Sequence, residues 1–152
     1  MANTYTQIFI QSVFAVQNRR SLINTLWQTD LYKYITGIIQ KNGHKLIAIN
    51  GVSDHVHIFI GMKPHQSLSD LMQDVKGDSS KWINQNGFIK GRFSWQQGFG
   101  GFSYSISQID HVVKYINNQA QHHKVRTFIE EYTDFLEKFD IPFDKRYVFK
   151  PI

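Results

Sequence analysis

The sequence predicts an α+β fold, an antiparallel sheet with helices on one face. Three observations lead there. Short runs rich in β-branched and aromatic residues alternate with segments whose apolar residues recur at helical spacing. Val52-Ser53-Asp54 joins two of those runs as a tight hairpin turn. Ser67-x-x-Asp70 and Thr127-x-x-Glu130 have the form of capping boxes, which mark helix starts.

Thr4 to Val16 is the first expected strand. Gln17 to Arg20 breaks it, and Ser21 is placed to cap a helix carrying Leu22, Leu26, Trp27, Leu31, Ile35, Ile38 and Ile39. Asn42-Gly43 ends that helix. His44 to Gly51 and His55 to Met62 form the hairpin strands. A second helix follows Ser67, with Leu68, Leu71, Met72, Val75, Trp82 and Ile83 on its apolar face. Arg92 to Ser105 reads as a strand followed by a flexible segment, because Gly98, Gly100 and Gly101 interrupt its aromatic pattern. A third helix is expected over about 107–122. A fourth starts at Thr127 and stops at Pro142, and the remaining tail reads as a loosely docked arm. The order β-α-β-β-α-β followed by two helices matches a ferredoxin-like (RRM-like) sheet with C-terminal helices added.

With 152 residues, 41% hydrophobic and 14% aromatic, the chain reads as one globular domain. Its parts are a sheet core at about 1–105, the third helix at about 107–122, and a last helix with its tail at about 125–152. The absence of cysteine excludes disulfides, thiolate metal sites and cysteine nucleophiles. The N-terminal residues lack the pattern of a signal peptide and no long apolar run occurs, so a cytoplasmic protein with no membrane partner is expected. A net charge of +5 suits a polyanionic partner.

His55 and His57 lie two residues apart on an expected strand, so both side chains share one face, about 7 Å apart at the backbone. Val56, Ile58 and Ile60 take the face that the helices cover. The histidines are therefore expected on the uncovered face, toward solvent or a partner, where their ring nitrogens can share a metal ion. Asp54 points away by parity, and further ligands must come from elsewhere. On the third helix, Ile109, Val112, Val113, Ile116 and Ala120 form the apolar stripe, and Tyr115 lies roughly 120° from its centre. Gln119 follows Tyr115 by one turn, and Gln108, His111, Asn118 and His122 are its other neighbours.

His55-Val56-His57 resembles the His-hydrophobic-His motif of the HUH nucleases, and Tyr115-Ile116-Asn117-Asn118-Gln119 resembles the tyrosine-to-glutamine segment of their single-tyrosine transposases, including the REP-associated ones. Trp95 to Ser103 and Lys76-Gly77-x-Ser79-Ser80 are similar to the segments flanking those motifs, so the likeness runs over nearly the whole chain. The resemblance implies a transposase that cleaves and rejoins single-stranded DNA at the hairpin ends of a mobile element. It implies a 5′-phosphotyrosine on Tyr115, one Mg²⁺ or Mn²⁺ held by His55, His57 and Gln119, and no nucleotide cofactor. It also implies a homodimer whose sites pair the histidines of one subunit with the tyrosine helix of the other, a swap that the glycines at 98–101 permit. Lys76, Arg19, Arg20, Lys81, Lys90 and Arg92 are expected to hold DNA, with Lys76 foremost. Phe93 and Trp95 are candidates for base stacking, and His111 is an alternative ligand or base. Two other readings remain at this point: a domesticated nuclease that cuts repeated hairpins without transposition, and a non-catalytic sheet that binds single-stranded nucleic acid.

Overall fold

The computed structural model describes residues 3–122 and 126–143. Four antiparallel strands form one sheet in the order β2-β3-β1-β4. They are β1 (Phe9–Ala15), β2 (Lys45–Val52), β3 (His55–Gly61) and β4 (Gly100–Tyr104). β3 lies inside the sheet, with His57 opposite Val13 on one side and Asn50 on the other. Two helices, α1 (Thr25–Lys41) and α2 (Leu68–Asn86), cover one face. Their buried residues, among them Leu31, Ile35, Leu71 and Val75, meet Phe14, Val56, Ile58 and Ile60 from the sheet. No helix among the described residues is long and apolar enough to cross a membrane.

Several elements begin or end away from their expected positions. The first strand starts at Phe9. The N-cap of α1 is Asn24, whose side chain accepts from Leu26 N; Ser21 does not cap it. Ser67 caps α2 as expected, accepting from Asp70 N. The glycine-rich segment is no flexible linker, because Gly100 and Gly101 are residues of β4 itself, opposite Val13 and Ser12. The side chains these glycines lack would collide with neighbours on the two faces of the sheet. A Cβ on Gly100 would lie 2.8 Å from the Tyr132 ring, and one on Gly101 would lie 2.7 Å from Leu68. Phe93 and Trp95 are buried in the α1–α2 core, where Trp95 Nε1 donates to Ser79 Oγ at 2.9 Å. Neither ring is available to stack on a base.

The second face of the sheet is also covered, contrary to the expectation for the histidines. Helices α3 (Ile109–Asn117), α4 (Gln119–His122) and α5 (Phe128–Lys138) form a C-terminal layer over it. Val13, Ala15 and Phe102 pack against Phe128, Tyr132, Phe135 and Leu136. Ala48 and Phe59 pack against Val112 and Ile116. The near-continuous apolar runs of β1 and β3 fit burial on both faces, with Gln11, His55 and His57 as polar residues on the second. Most of the tail, from residue 144, lies outside the described residues.

Candidate active site

His55 and His57 are both fully buried, as are Gln119 and Glu131. β3 presents the two imidazoles on the face beneath α4 and α5, with ring centroids 5.1 Å apart. The expected single helix at 107–122 is broken at Asn118, which leaves the helical backbone region (φ −100°, ψ 22°). Asn50 of β2 holds the break, donating to the carbonyls of Ile116 at 3.0 Å and Asn117 at 3.2 Å. The change of register turns Gln119 inward and leaves Ala120, an expected stripe residue, exposed. Gln119 Oε1 thereby reaches 3.1 Å from His55 Nε2.

Glu131 of α5 completes the cluster. Its Oε1 lies 3.0 Å from His57 Nε2 and 3.6 Å from His55 Nε2. Ligand atoms of His55, His57 and Glu131 all lie within 4.8 Å of one another, a group that could hold a metal ion. The outer hydrogen bonds favour that use. Asp54 Oδ1 lies 2.7 Å from His55 Nδ1, and a carboxylate only accepts, so Nδ1 is the donor. His57 Nδ1 faces Gln11 Oε1 at 2.7 Å. With both Nδ1 atoms donating, both Nε2 atoms turn lone pairs toward Glu131 and Gln119. A cation between each such lone pair and the carboxylate, a proton or a metal ion, offsets their repulsion. Two imidazoles, a carboxylate and an amide oxygen could hold a divalent ion, with the outer partners fixing the tautomers. The parity argument misplaced Asp54: at the turn, its side chain reaches back to the adjacent imidazole.

Tyr115 of α3 is half-buried beside this cluster. Its hydroxyl donates to Glu131 Oε2, and Arg126 Nη2 donates to Tyr115 Oη at 3.2 Å. Its ring stacks on His122 at 4.4 Å. Burial, followed by the charge and hydrogen bond of Glu131, raises the phenol above its ordinary pKa, while Arg126 pulls it down. A cavity of about 370 Å³ opens on the phenol, lined by Gln11, Tyr104, His111, Tyr115, Arg126 and Glu131 among others. His111 is thus a wall of the cavity, and the described contacts include none between it and the imidazole cluster.

The expected DNA contacts fall in separate places. Lys81 and Arg92 line one shallow groove with Gly77, Ser80, Asn84 and Gln85. Lys76 Nζ donates to the carbonyls of Gln96 at 2.6 Å and Gly98 at 2.8 Å, strapping the segment before β4. Burial lowers its pKa to about 8. Arg19 and Arg20 follow β1, where Asn18 and Arg19 both take positive φ, at 60° and 54°.

Glu131, Arg126 and Gln11 are site residues that sequence reasoning missed. Glu131 carried a signal: it sits within the buried helical stripe of Phe128, Tyr132 and Phe135, where a carboxylate needs a partner. The base-binding alternative had required an open sheet face, and the C-terminal layer occupies that face.

Two buried histidines, a carboxylate and an amide, a group that could hold a metal ion, thus lie next to a tyrosine on a separate helix. The profile of the family described as transposase IS200 like matches residues 4–119, and the chain belongs to that family of transposases. Its fold is similar to that of a Deinococcus radiodurans R1 chain assigned as a transposase. That match has 20% identity and a TM-score of 0.64, and covers 78% of this chain and 95% of that one. It is also similar to a REP-associated tyrosine transposase bound to a REP hairpin. There the identity is 17% and the TM-score 0.61, with 81% of this chain and 73% of that one covered. A search of curated proteins gave no match.

Proposed function

We propose that the protein cleaves and rejoins single-stranded DNA through a covalent bond to Tyr115. The observation that supports this best is that one carboxylate, Glu131, touches both the imidazole cluster and the Tyr115 hydroxyl. Tyr115 Oη attacks the scissile phosphorus, and its proton passes to Glu131 Oε2, which already accepts it in a hydrogen bond. The bond from phosphorus to the 3′-oxygen breaks, leaving a 5′-phosphotyrosine and a free 3′-hydroxyl. A phenol is a better leaving group than an alcohol, so another strand's 3′-hydroxyl can reverse the step without a nucleotide cofactor. His55, His57, Gln119 and Glu131 would hold the divalent metal, Mg²⁺ or Mn²⁺, which when bound polarises the phosphate and offsets its developing charge. The cavity beside Tyr115 is the approach for the phosphate, since the cluster itself is buried.

The DNA proposed is the hairpin end of a mobile element. Lys81 and Arg92 contact its backbone in their groove, Arg19 and Arg20 do so beyond β1, and Lys76 keeps one of three ammonium protons for a phosphate. His111 flanks the reacting phosphate from the cavity wall. The proposed assembly is a cytoplasmic homodimer, each tyrosine seated on its own chain's histidines in the state described. The test is incubation with single strands flanking the protein's own gene, with Mn²⁺, followed by denaturing electrophoresis. A covalent adduct that EDTA abolishes and Tyr115→Phe lacks is expected. Binding should favour a single-stranded hairpin over its matched duplex and weaken with salt through counterion release. No adduct on any flanking strand, or one indifferent to EDTA, would overturn the reading.

A further inference from the structure

Arg126 belongs to no motif in the sequence, yet it touches the atom on which the proposed chemistry turns. Its Nη2 lies 3.2 Å from Tyr115 Oη, and its Nη1 donates to Asp134. One edge of the guanidinium is therefore held by a carboxylate while the other faces the phenol oxygen. Arg126 immediately precedes the capping box of α5, formed by Thr127 and Glu130, and Asp134 lies on α5 itself. The anchor thus lies on α5, the element that also carries Glu131, and the arginine lies just before its N-cap. Tyr115 Oη has two partners of opposite kind: Glu131 Oε2 takes its proton, and Arg126 donates to the oxygen. Arg126 also lines the cavity on which the phenol opens, so it borders the space a phosphate would enter.

We propose that Arg126 is a catalytic residue that stabilises negative charge on Tyr115 Oη in both directions of strand transfer, with Asp134 as its positioning residue. The inference rests on the transposase reading above. In the forward direction the Oη–P bond forms as the bond from phosphorus to O3′ breaks. The phenol proton goes to Glu131, and O3′ takes a proton from water to become the free hydroxyl. In the reverse direction an incoming 3′-hydroxyl attacks phosphorus and gives its proton to water. The P–Oη bond breaks, and the departing phenolate, held by Arg126, recovers a proton from water by way of Glu131 Oε2. A guanidinium remains protonated throughout, so one donor serves both the attacking and the departing oxygen.

The experiment measures single-turnover adduct formation at saturating single-stranded DNA with Mn²⁺, alongside DNA and Mn²⁺ affinities. The proteins compared are the wild type, Arg126→Gln, Arg126→Lys and Asp134→Asn. Arg126→Gln should slow adduct formation about 100-fold, the usual cost of losing one such donor, with both affinities within about twofold. Arg126→Lys should retain part of the rate, and Asp134→Asn should lose less than Arg126→Gln. Incorporating 3-fluorotyrosine, a less basic phenol, should narrow the gap between wild type and Arg126→Gln. An unchanged rate in Arg126→Gln would overturn the proposal. So would a loss that fluorotyrosine does not narrow, because a structural or DNA-binding role is blind to phenol basicity. Adduct formation by the wild type reports separately on the transposase reading, and its absence there would end both.

Discussion

His57 Nε2 lies 3.0 Å from Glu131 Oε1, joining an inner strand to the last helix across 74 positions of sequence. Through this contact the C-terminal layer becomes part of the imidazole cluster and is more than a cover for it. Glu131→Gln keeps the shape of the side chain and removes its charge. Mn²⁺ affinity, measured by calorimetry, should fall at least about tenfold while circular dichroism stays that of the wild type. Gln119→Ala should weaken binding less, since a neutral amide oxygen attracts a cation less strongly than a carboxylate. Unaltered Mn²⁺ affinity in Glu131→Gln would remove it from the ligand set.

The outer partner of His55 makes a finer test. Asp54→Asn can turn its amide nitrogen toward Nδ1 and favour the other tautomer, placing a hydrogen on Nε2. A loss of about tenfold in Mn²⁺ affinity is expected, recovered in Asp54→Glu only if the longer carboxylate still reaches the ring.

Because Tyr115 contacts Glu131 of its own chain, a co-expressed heterodimer of His57→Ala and Tyr115→Phe should form no adduct. Each of its sites carries one defect when the tyrosine acts within its chain. Recovered cleavage in a verified heterodimer would show instead that the tyrosine helix exchanges between subunits, as the resemblance to the wider family implied.

Gly100→Ala should destabilise the fold by roughly 1–3 kcal/mol, the usual cost of overpacking, because the added methyl meets the Tyr132 ring at 2.8 Å. Chemical denaturation would measure it. Combination with Tyr132→Leu, which removes the ring, should return part of the loss. Equal stability of Gly100→Ala and wild type would mean that α5 yields without cost.

Burial raises the phenols of Tyr104 and Tyr132 to about 12 each, with Gln11 opposing this at Tyr104. The neutral forms are therefore favoured in the folded state. Their contribution is complete below the unfolded value near 10 and is lost as pH rises through 12. Stability measured by denaturant at pH 9 and again near pH 11.5 should fall over that interval, and Tyr132→Phe should fall less steeply. The same slope in both proteins would contradict the shift at Tyr132.

The sheet, its hairpin and the capped starts of α2 and α5 were legible because they depend on neighbours in sequence: Ser67 with Asp70, Thr127 with Glu130, and the alternation along His55 to Gly61. The family likeness came from the same local spacing. What escaped was long-range. The burial of the histidines depends on a layer that begins some 50 residues later, by the count from His57 to Ile109. The inward turn of Gln119 depends on Asn50 capturing the carbonyls of α3, which a uniform helical wheel does not contain. The glycines of β4 resembled a hinge because their purpose lies in Tyr132 and Leu68, on opposite faces of a strand whose pairing the sequence did not display. Glu131 was passed over because a charge on an apolar stripe is read as a flaw in the pattern until its partners are known.

The position of β3 between β1 and β2 has a consequence for how the protein comes into being on the ribosome. All four strands of the sheet are translated before Tyr115 emerges, and Glu131 follows later still. A nascent chain can hold both histidines in register while it still lacks Tyr115 and the carboxylate of Glu131 that complete the cluster. Until α5 docks, Val13, Ala15 and Phe102 lack their cover. The step that hides this apolar surface is therefore the same step that brings Glu131 to the imidazoles, so a chain stalled short of α5 would expose that surface and lack the complete cluster.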